Sequence, residues 1–155
     1  CRRVEYSKME LPHITLKSRA DDIIDIAGFT RLDEREVWQA LINSGVKYND
    51  WTIRKEYDRN KPILHLYMEL DEDRDEANVR QIVHTQLRAM DPGYRDLDGM
   101  LEIQPLRVTL LSPGTFSRYL QEKQAAGFDL AHLKPSHMNA SDSAISDLLR
   151  LSQST

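Results

Sequence analysis

Apolar residues in this chain alternate between two spacings, and the changes of spacing predict where helices and strands lie. From Asp33 onward the spacing is helical: Asp33 and Glu36 have the separation of a capping box, and Gly45 is a typical helix stop. The apolar positions of this first predicted helix are Val37, Trp38, Leu41 and Ile42. Trp38, like Trp51 further on, is expected in the core.

Two alternating segments follow, residues 51–57 and 63–70, and the polar turn between them predicts a β-hairpin. His65 interrupts the second segment and is expected at the edge of the core, with its ring nitrogens hydrogen-bonded. Residues 75–90 return to helical spacing. The pair Pro92-Gly93 is expected to end this second helix and to begin a loop.

The remaining elements are predicted from strand composition and from helix-start signals. Residues 101–111 have the composition of a strand, in which Pro105 must lie at an edge, at a bulge or at the start. Ser112 and Pro113 predict the N-cap and the first residue of a third helix. A last helix is expected to begin near residues 139–141.

Before the first helix, the short apolar stretches 14–16 and 23–26 predict a β-ribbon. The helix, strand, strand, helix and strand that follow complete an α+β fold. It is a ferredoxin-like split βαβ sandwich with an N-terminal β-ribbon and a C-terminal helix. The predicted boundaries are 1–28 for the ribbon segment, 29–138 for the sandwich and 139–155 for the C-terminal helix and tail.

Composition narrows the classes of function. The 155 residues fit one domain, and a single cysteine leaves no internal disulfide, which favours the cytoplasm. The net charge of -4 offers no general attraction for nucleic acid, and no apolar run approaches the ~20 residues of a membrane span. Because the chain begins at Cys1 rather than Met, we expect a piece of a longer polypeptide.

A charged run near the N-terminus resembles the hinge of a known superfamily. Arg19, Asp21 and Asp22 precede the apolar stretch 23–26 and Gly28, and a helix with an acidic start follows. From the residues alone this run is a polar β-turn. Its order resembles the start of the C-terminal domain of the adenylate-forming enzymes, which include phenylacetate–coenzyme A ligases and acyl-CoA synthetases. The resemblance implies a hinge at Asp21, a nucleotide contact at Arg19, and Gly28 near the tunnel of the thiol acceptor.

A second resemblance lies in the C-terminal half. Leu106-Arg107-Val108 leads through Gly114-Thr115-Phe116 into a helix and then to Lys134-Pro135. This order is similar to the end of the auxin-responsive acyl acid amido synthetases, which are also adenylate-forming. It implies that Lys134 is the catalytic cation, whereas the residue alone is an ordinary surface lysine. Most acyl-CoA synthetases carry that lysine in a Gly-Lys pair that this chain lacks, so Lys134 is carried over from the amido synthetases alone.

These resemblances imply a mobile C-terminal domain of a ligase that uses ATP and Mg²⁺ to activate a carboxylic acid and then transfers the acyl group to coenzyme A or an amine. Its partner would be the N-terminal adenylation domain of the same polypeptide, which would bind most of the nucleotide and metal. The isolated domain is expected to be inactive. The alternative is a stand-alone ferredoxin-like regulatory or dimerisation module that binds a small molecule and is not catalytic.

Other chemistry is less favoured by the sequence. The five histidines have no helical i, i+3 or i+4 pairing and no cysteine partners, so no metal site is expected. Cys1 as an N-terminal nucleophile has no accompanying oxyanion-hole motif. The acidic run 69–76 lacks the glycine and the final acidic residue of a calcium loop, and is expected to be a strand-to-helix turn.

Overall fold

The computed structural model describes residues 22–28, 30–100 and 104–154. In this part of the chain, a two-stranded ribbon, a three-stranded sheet and five α-helices form the α+β, ferredoxin-like fold that was predicted. The elements in chain order are β1 (Ile23–Ile26), β2 (Thr30–Asp33), α1 (Glu34–Ser44), β3 (Tyr48–Asp58), β4 (Lys61–Leu70), α2 (Glu76–Met90), α3 (Pro92–Met100), β5 (Leu106–Leu111), α4 (Thr115–Ala125) and α5 (Asp142–Gln153).

The sheet has the order β3-β4-β5, with β4 in the centre. Strands β3 and β4 are antiparallel, and the predicted hairpin between them turns at Arg59 and Asn60, which both have positive φ. Strand β5 runs parallel to β4, as the helical crossover through α2 and α3 allows. Pro105 lies directly before β5, so its missing amide hydrogen interrupts no strand pairing.

Two hydrophobic clusters hold the layers together. Strand β4 is buried on both faces and contributes to each cluster, because its side chains alternate in direction. Leu64, Leu66 and Met68 face the larger cluster, which joins the sheet to the ribbon, α1, α2 and α3. Tyr67 faces the smaller one, which joins the sheet to α4 and α5.

The ribbon is a hairpin whose second strand the sequence analysis missed. Strand β1 pairs antiparallel with Thr30–Asp33, in the register Ile23↔Asp33 to Ile26↔Thr30. The partner expected from the sequence, residues 14–16, lies outside the described residues. The ribbon therefore continues past residue 28 and leads directly into α1, where the predicted capping box of Asp33 and Glu36 is present.

Two helix boundaries differ from the predictions. Pro92 begins α3 rather than a loop: the Asp91 carboxylate accepts a hydrogen bond from the amide of Gly93, and proline is well tolerated at the first helical position. Helix α4 begins at Thr115, with Gly114 as its N-cap, so Ser112 is not the cap. The carbonyl of Ser112 instead accepts the hydroxyl hydrogen of Thr115.

A buried carboxylate replaces the expected serine cap of α4. Glu69 at the end of β4 accepts hydrogen bonds from the amides of Gly114 and Phe116, at 2.8 and 3.0 Å. A carboxylate at a helix N-terminus satisfies unpaired amides and interacts favourably with the helix dipole. Glu69 therefore fixes α4 against the central strand.

We expect Glu69→Gln to lower the free energy of unfolding by about 2 kcal/mol, because a neutral amide accepts these hydrogen bonds less well and turns an amino group toward one of the two donors. Urea denaturation measures the change. Asp73→Asn, which removes the same charge at an exposed position nearby, is the control and should change stability little. Equal losses in both variants would contradict a capping role.

Candidate functional site

The segment that carries Lys134 is attached to the edge of the sheet. Met138 pairs with Ile53 of β3 in a parallel bridge. The amide of Ile53 donates to the carbonyl of His137 at 2.8 Å, and the amide of Asn139 donates to the carbonyl of Ile53 at 2.9 Å. The buried hydroxyl of Thr52 donates to the carbonyl of Ser136 at 2.7 Å. Residues 133–139, called the lysine loop below, are therefore held in place rather than free to swing.

Lys134 itself is exposed and contacts an acidic side chain of β3. Its Nζ lies 3.3 Å from Oδ2 of Asp50, and the Lys134 side chain is 66% exposed whereas that of Asp50 is 15% exposed. The amide of Trp51 donates to Oδ1 of the same carboxylate at 2.9 Å. Asp50 thus places a largely buried anion next to an exposed cation.

His137 connects this pair to helix α1. Its Nδ1 lies 2.6 Å from Oε1 of Glu34, and its Nε2 lies 3.0 Å from Oδ1 of Asp50. The imidazole stacks on the buried Trp51 ring, with centroids 4.5 Å apart and planes 9° apart. Glu34, Asp50, Trp51, Lys134 and His137 form one contiguous group, called the lysine platform below.

Charges on the platform shift two pKa values in opposite directions. The hydrogen bond to Asp50 raises the pKa of His137 above its ordinary value; burial opposes the shift, and Glu34 adds to it. Burial alone would raise the pKa of Asp50, but hydrogen bonds from His137 and the Trp51 amide, together with the charge of Lys134, hold it below its ordinary value. At neutral pH Asp50 is a carboxylate that accepts hydrogen bonds from His137, Lys134 and the Trp51 amide.

Gly28, the predicted acceptor-side residue, lies in the turn of the ribbon. Its φ is +75°, which favours glycine, and its amide donates to the carboxylate of Asp25 at 2.8 Å. Apart from the two neighbouring residues in the chain, no heavy atom of the described residues lies within 4 Å of the position a Cβ would take, so they leave the turn open on that side. On the next strand, the hydroxyl of Thr30 donates to the carboxylate of Asp91, which ties the turn end of the ribbon to the junction of α2 and α3.

The lysine loop meets the other end of the ribbon. The side-chain amide of Asn139 donates to the carbonyl of Ile23 at 3.3 Å, and Ile23 pairs with Asp33 at the open end of the hairpin. Gly28 and the lysine loop are therefore at opposite ends of β1 and are not brought together. Arg19 and Asp21 lie outside the described residues, so their predicted roles are not tested.

Sequence comparison identifies the domain. The profile of the GH3 family C-terminal domain matches residues 35–143, well over half of the chain. The chain belongs to the GH3 family. No curated protein matches the chain significantly in sequence.

Solved structures were found that resemble this GH3 domain. The GH3.15 acyl acid amido synthetase superposes with a TM-score of 0.65 at 17% identity, covering 85% of this chain and 26% of that one. A 2-hydroxyisobutyryl-CoA ligase gives 0.47 at 15% identity, covering 88% of this chain and 25% of that one. A domain of phenylacetate-coenzyme A ligase from Bacteroides vulgatus gives 0.39 at 17% identity, covering 81% and 99%. The first likeness shows the fold, and the two TM-scores below 0.5 carry no argument.

The GH3 domain spans about a quarter of the length of the amido synthetase that it resembles. None of its described helices is long and apolar enough to cross a membrane. In the described part of the chain, no group of three or more histidine, cysteine, aspartate or glutamate side chains is arranged to hold a metal ion.

Sequence reasoning predicted Lys134 as the catalytic cation, which stays a prediction, and assigned no site role to the residues around it. Asp50 and His137 are separated by 87 positions, and Glu34 and His137 by 103, so no local spacing connects them. Trp38, expected in the core, is 48% exposed, and Ile42 one turn later is 46% exposed, whereas Trp51 is buried as predicted. The one available signal was that His137 follows Lys134 and Pro135 in an irregular stretch.

A second polar cluster in the GH3 domain spans the three strands of the sheet. Glu56 accepts from Arg54 and Tyr67, at 2.7 and 2.6 Å, and lies 2.6 Å from Nδ1 of His65. The other ring nitrogen of His65 is 2.7 Å from the hydroxyl of Thr109, so both nitrogens are hydrogen-bonded as predicted. These groups satisfy one another, which indicates a structural cluster.

We expect Glu56 to make the domain sensitive to acid. Burial raises the pKa of Glu56, but hydrogen bonds from Tyr67, His65 and Arg54 outweigh it and bring the pKa to about 2. Because the folded value is depressed, the stabilisation is present above the unfolded pKa of about 4.3 and is lost as pH falls toward about 2. Glu56→Gln should lack this part of the pH dependence. The measurement is the melting temperature at pH values from about 6 to about 2.

The control for this measurement is Asp71→Asn, which removes one charge at an exposed position. Its acid profile should match that of the unaltered protein. A Glu56→Gln profile that also matches would contradict the role of this cluster in acid stability.

Proposed function

We propose that the chain is the mobile C-terminal domain of an ATP-dependent, acyl-adenylate-forming ligase. The enzyme activates a carboxylic acid and transfers the acyl group to an amine or to coenzyme A. The observation that carries this proposal is the match of residues 35–143 to the GH3 C-terminal domain. The fold likeness to an acyl acid amido synthetase supports the same conclusion. The enzyme is proposed to act in the cytoplasm.

Lys134 is the proposed catalytic cation. Adenylation places negative charge on the reacting phosphates and expels pyrophosphate, and a lysine supplied by the closing domain stabilises that charge. The exposed ammonium has the required access, and solvent around the 66% exposed lysine side chain weakens its ion pair with Asp50. A triphosphate with several negative charges therefore competes readily with one carboxylate for Lys134.

The nucleotide, Mg²⁺ and the carboxylic acid are proposed to bind mainly to an N-terminal adenylation domain of the same polypeptide. Among the described residues, the group proposed to reach the nucleotide is the exposed Lys134, which is paired with Asp50. The described residues contain no cluster of carboxylates that could hold Mg²⁺. Arg19 is proposed to add a contact to the nucleotide, and Asp21 to act as the hinge between the domains.

The transfer half-reaction is proposed to use the other end of the ribbon. Gly28 lies in an open turn where an approaching acceptor meets backbone without a side chain. An amine acceptor is favoured by the fold likeness to an acyl acid amido synthetase, and coenzyme A is favoured by the resemblance of the hinge.

Lys134→Ala in the full-length polypeptide is expected to lower acid-dependent pyrophosphate release by about 100-fold, since one charge-stabilising donor is lost. Transfer from a pre-made acyl-adenylate should change far less. The acids assayed should include 2,4-DB, which is bound in one structure of the amido synthetase. Lys47→Ala, which removes an exposed lysine before β3, is the control. Unchanged pyrophosphate release in Lys134→Ala would refute the assignment.

Gly28→Asn tests the acceptor side. Asparagine tolerates positive φ better than other side chains, so the turn is retained while an amide group fills the open space. Transfer to the acceptor should fall about tenfold, with adenylation unchanged. The two half-reactions, assayed separately, give this comparison, and Gly45→Asn supplies the control because its φ of +69° is similar and its site is the end of α1. Equal transfer rates in both variants would place the acceptor elsewhere.

A further inference from the structure

His137 faces carboxylate oxygens with both ring nitrogens. Nδ1 is 2.6 Å from Glu34 and Nε2 is 3.0 Å from Asp50. Ionised carboxylates only accept hydrogen bonds, and a neutral imidazole carries one hydrogen, so both contacts are satisfied only when the ring is an imidazolium.

His65 provides an internal contrast. Its ring lies between a carboxylate, Glu56, and a hydroxyl, Thr109. A neutral ring satisfies both, because one nitrogen donates to the carboxylate and the other accepts from the hydroxyl. The contacts of His65 therefore suit the neutral ring, whereas those of His137 require the charged ring.

The charged ring joins three parts of the molecule. Glu34 is the first residue of α1, Asp50 belongs to β3, and His137 itself belongs to the lysine loop. The ring plane is fixed by stacking on the buried Trp51. Oδ1 of Asp50 accepts a hydrogen bond from His137, and Oδ2 accepts one from Lys134. The histidine and the lysine therefore bind different oxygens of the same carboxylate.

We propose that His137, as an imidazolium clamped between Glu34 and Asp50, is a positioning residue that fixes the lysine loop and so orients Lys134 for the adenylation half-reaction. The inference deepens the proposed function and rests on it for the role of Lys134. The clamp itself is a property of this chain and is tested separately below.

The sign of the pH dependence follows from the charged groups around the ring. Asp50 from β3 and Glu34 from α1 favour the proton, burial opposes it, and the pKa of His137 is raised. Lys134 from the same loop is the cation of the platform and pairs with Asp50. A raised folded value means that the clamp is complete below the unfolded pKa of about 6.5 and is lost as pH rises through the folded value. Above that value one nitrogen presents a lone pair to a carboxylate, and the lysine loop loosens.

The clamp is tested first by NMR on the 155-residue chain. The ring resonances of His137 should titrate above the ordinary histidine value, and Asp50→Asn should lower that midpoint. The backbone amide of Asn139 donates to the carbonyl of Ile53, and its hydrogen-exchange protection factor should fall about tenfold at pH values above the His137 midpoint. A His137 midpoint at or below about 6.5, or protection that does not change across it, would overturn the clamp.

The role of His137 is tested next in the full-length polypeptide with His137→Gln. Glutamine keeps a polar side chain, but its single amide nitrogen cannot donate to both carboxylates as the imidazolium does. The kcat of pyrophosphate release should fall about tenfold with KM for ATP nearly unchanged, because misplacement of a catalytic group lowers turnover. In the unaltered enzyme, kcat of pyrophosphate release should decline as pH rises through the His137 midpoint, and this decline should be absent from His137→Gln. Transfer from pre-made acyl-adenylate should be unaffected, and His132→Gln, an exposed change in the preceding turn, should behave as wild type.

The outcomes separate this inference from the proposed function. Normal adenylation in His137→Gln together with an inactive Lys134→Ala would overturn the positioning role and leave the proposed function intact. Normal adenylation in both variants would overturn both. A uniform loss in both half-reactions, with a lowered melting temperature, would show a structural role and also overturn the positioning role.

Discussion

The central strand β4 must be buried on both faces, and the rest of the domain is organised around that constraint. One face of the strand is aliphatic and packs under the ribbon and the first three helices. The other face carries His65, Tyr67 and Glu69, so polar groups lie where a two-layer domain would ordinarily place apolar ones. Burial of polar groups is costly unless they are hydrogen-bonded, and each of these has a partner that also fixes a neighbouring element.

At the edge of the sheet, too, neighbouring residues serve two different parts of the structure. Strand β3 carries Trp51 inward and Asp50 toward the lysine loop, so one stretch of strand supplies both a core side chain and the anion of the platform. The loop completes the edge of the sheet through Met138, which leaves Lys134 exposed on a rigid support. The chain belongs to the GH3 family, and its structure shows that Lys134 lies next to Asp50.

The sequence predicted those elements whose signals are local. The capping box at Asp33, the stop at Gly45 and the hairpin around Asn60 each depend on residues within a few positions, and all were found. Helix α3 was missed because Pro92 was interpreted as an end, although the preceding aspartate makes it a start. Trp38 was misplaced because a helical period defines a stripe without showing which edge of it faces the core.

The candidate site was less accessible to sequence reasoning. Lys134 was identified from a family resemblance, and nothing in its own surroundings in the sequence marks it. Its partners Asp50 and Glu34 come from distant segments that only the folded sheet edge brings together. Ionic contacts of this kind carry no periodic signal, so they become visible only after the backbone topology is known.

The length of the ribbon separates the two sites proposed for the half-reactions. Its four residue pairs separate the glycine turn from the lysine loop by roughly 13 Å of stiff, paired backbone. Because the ribbon is paired along its whole length, its two ends move together as one body. In the proposed enzyme, activation and acceptance of the acyl group would then be served by opposite ends of a single rigid element.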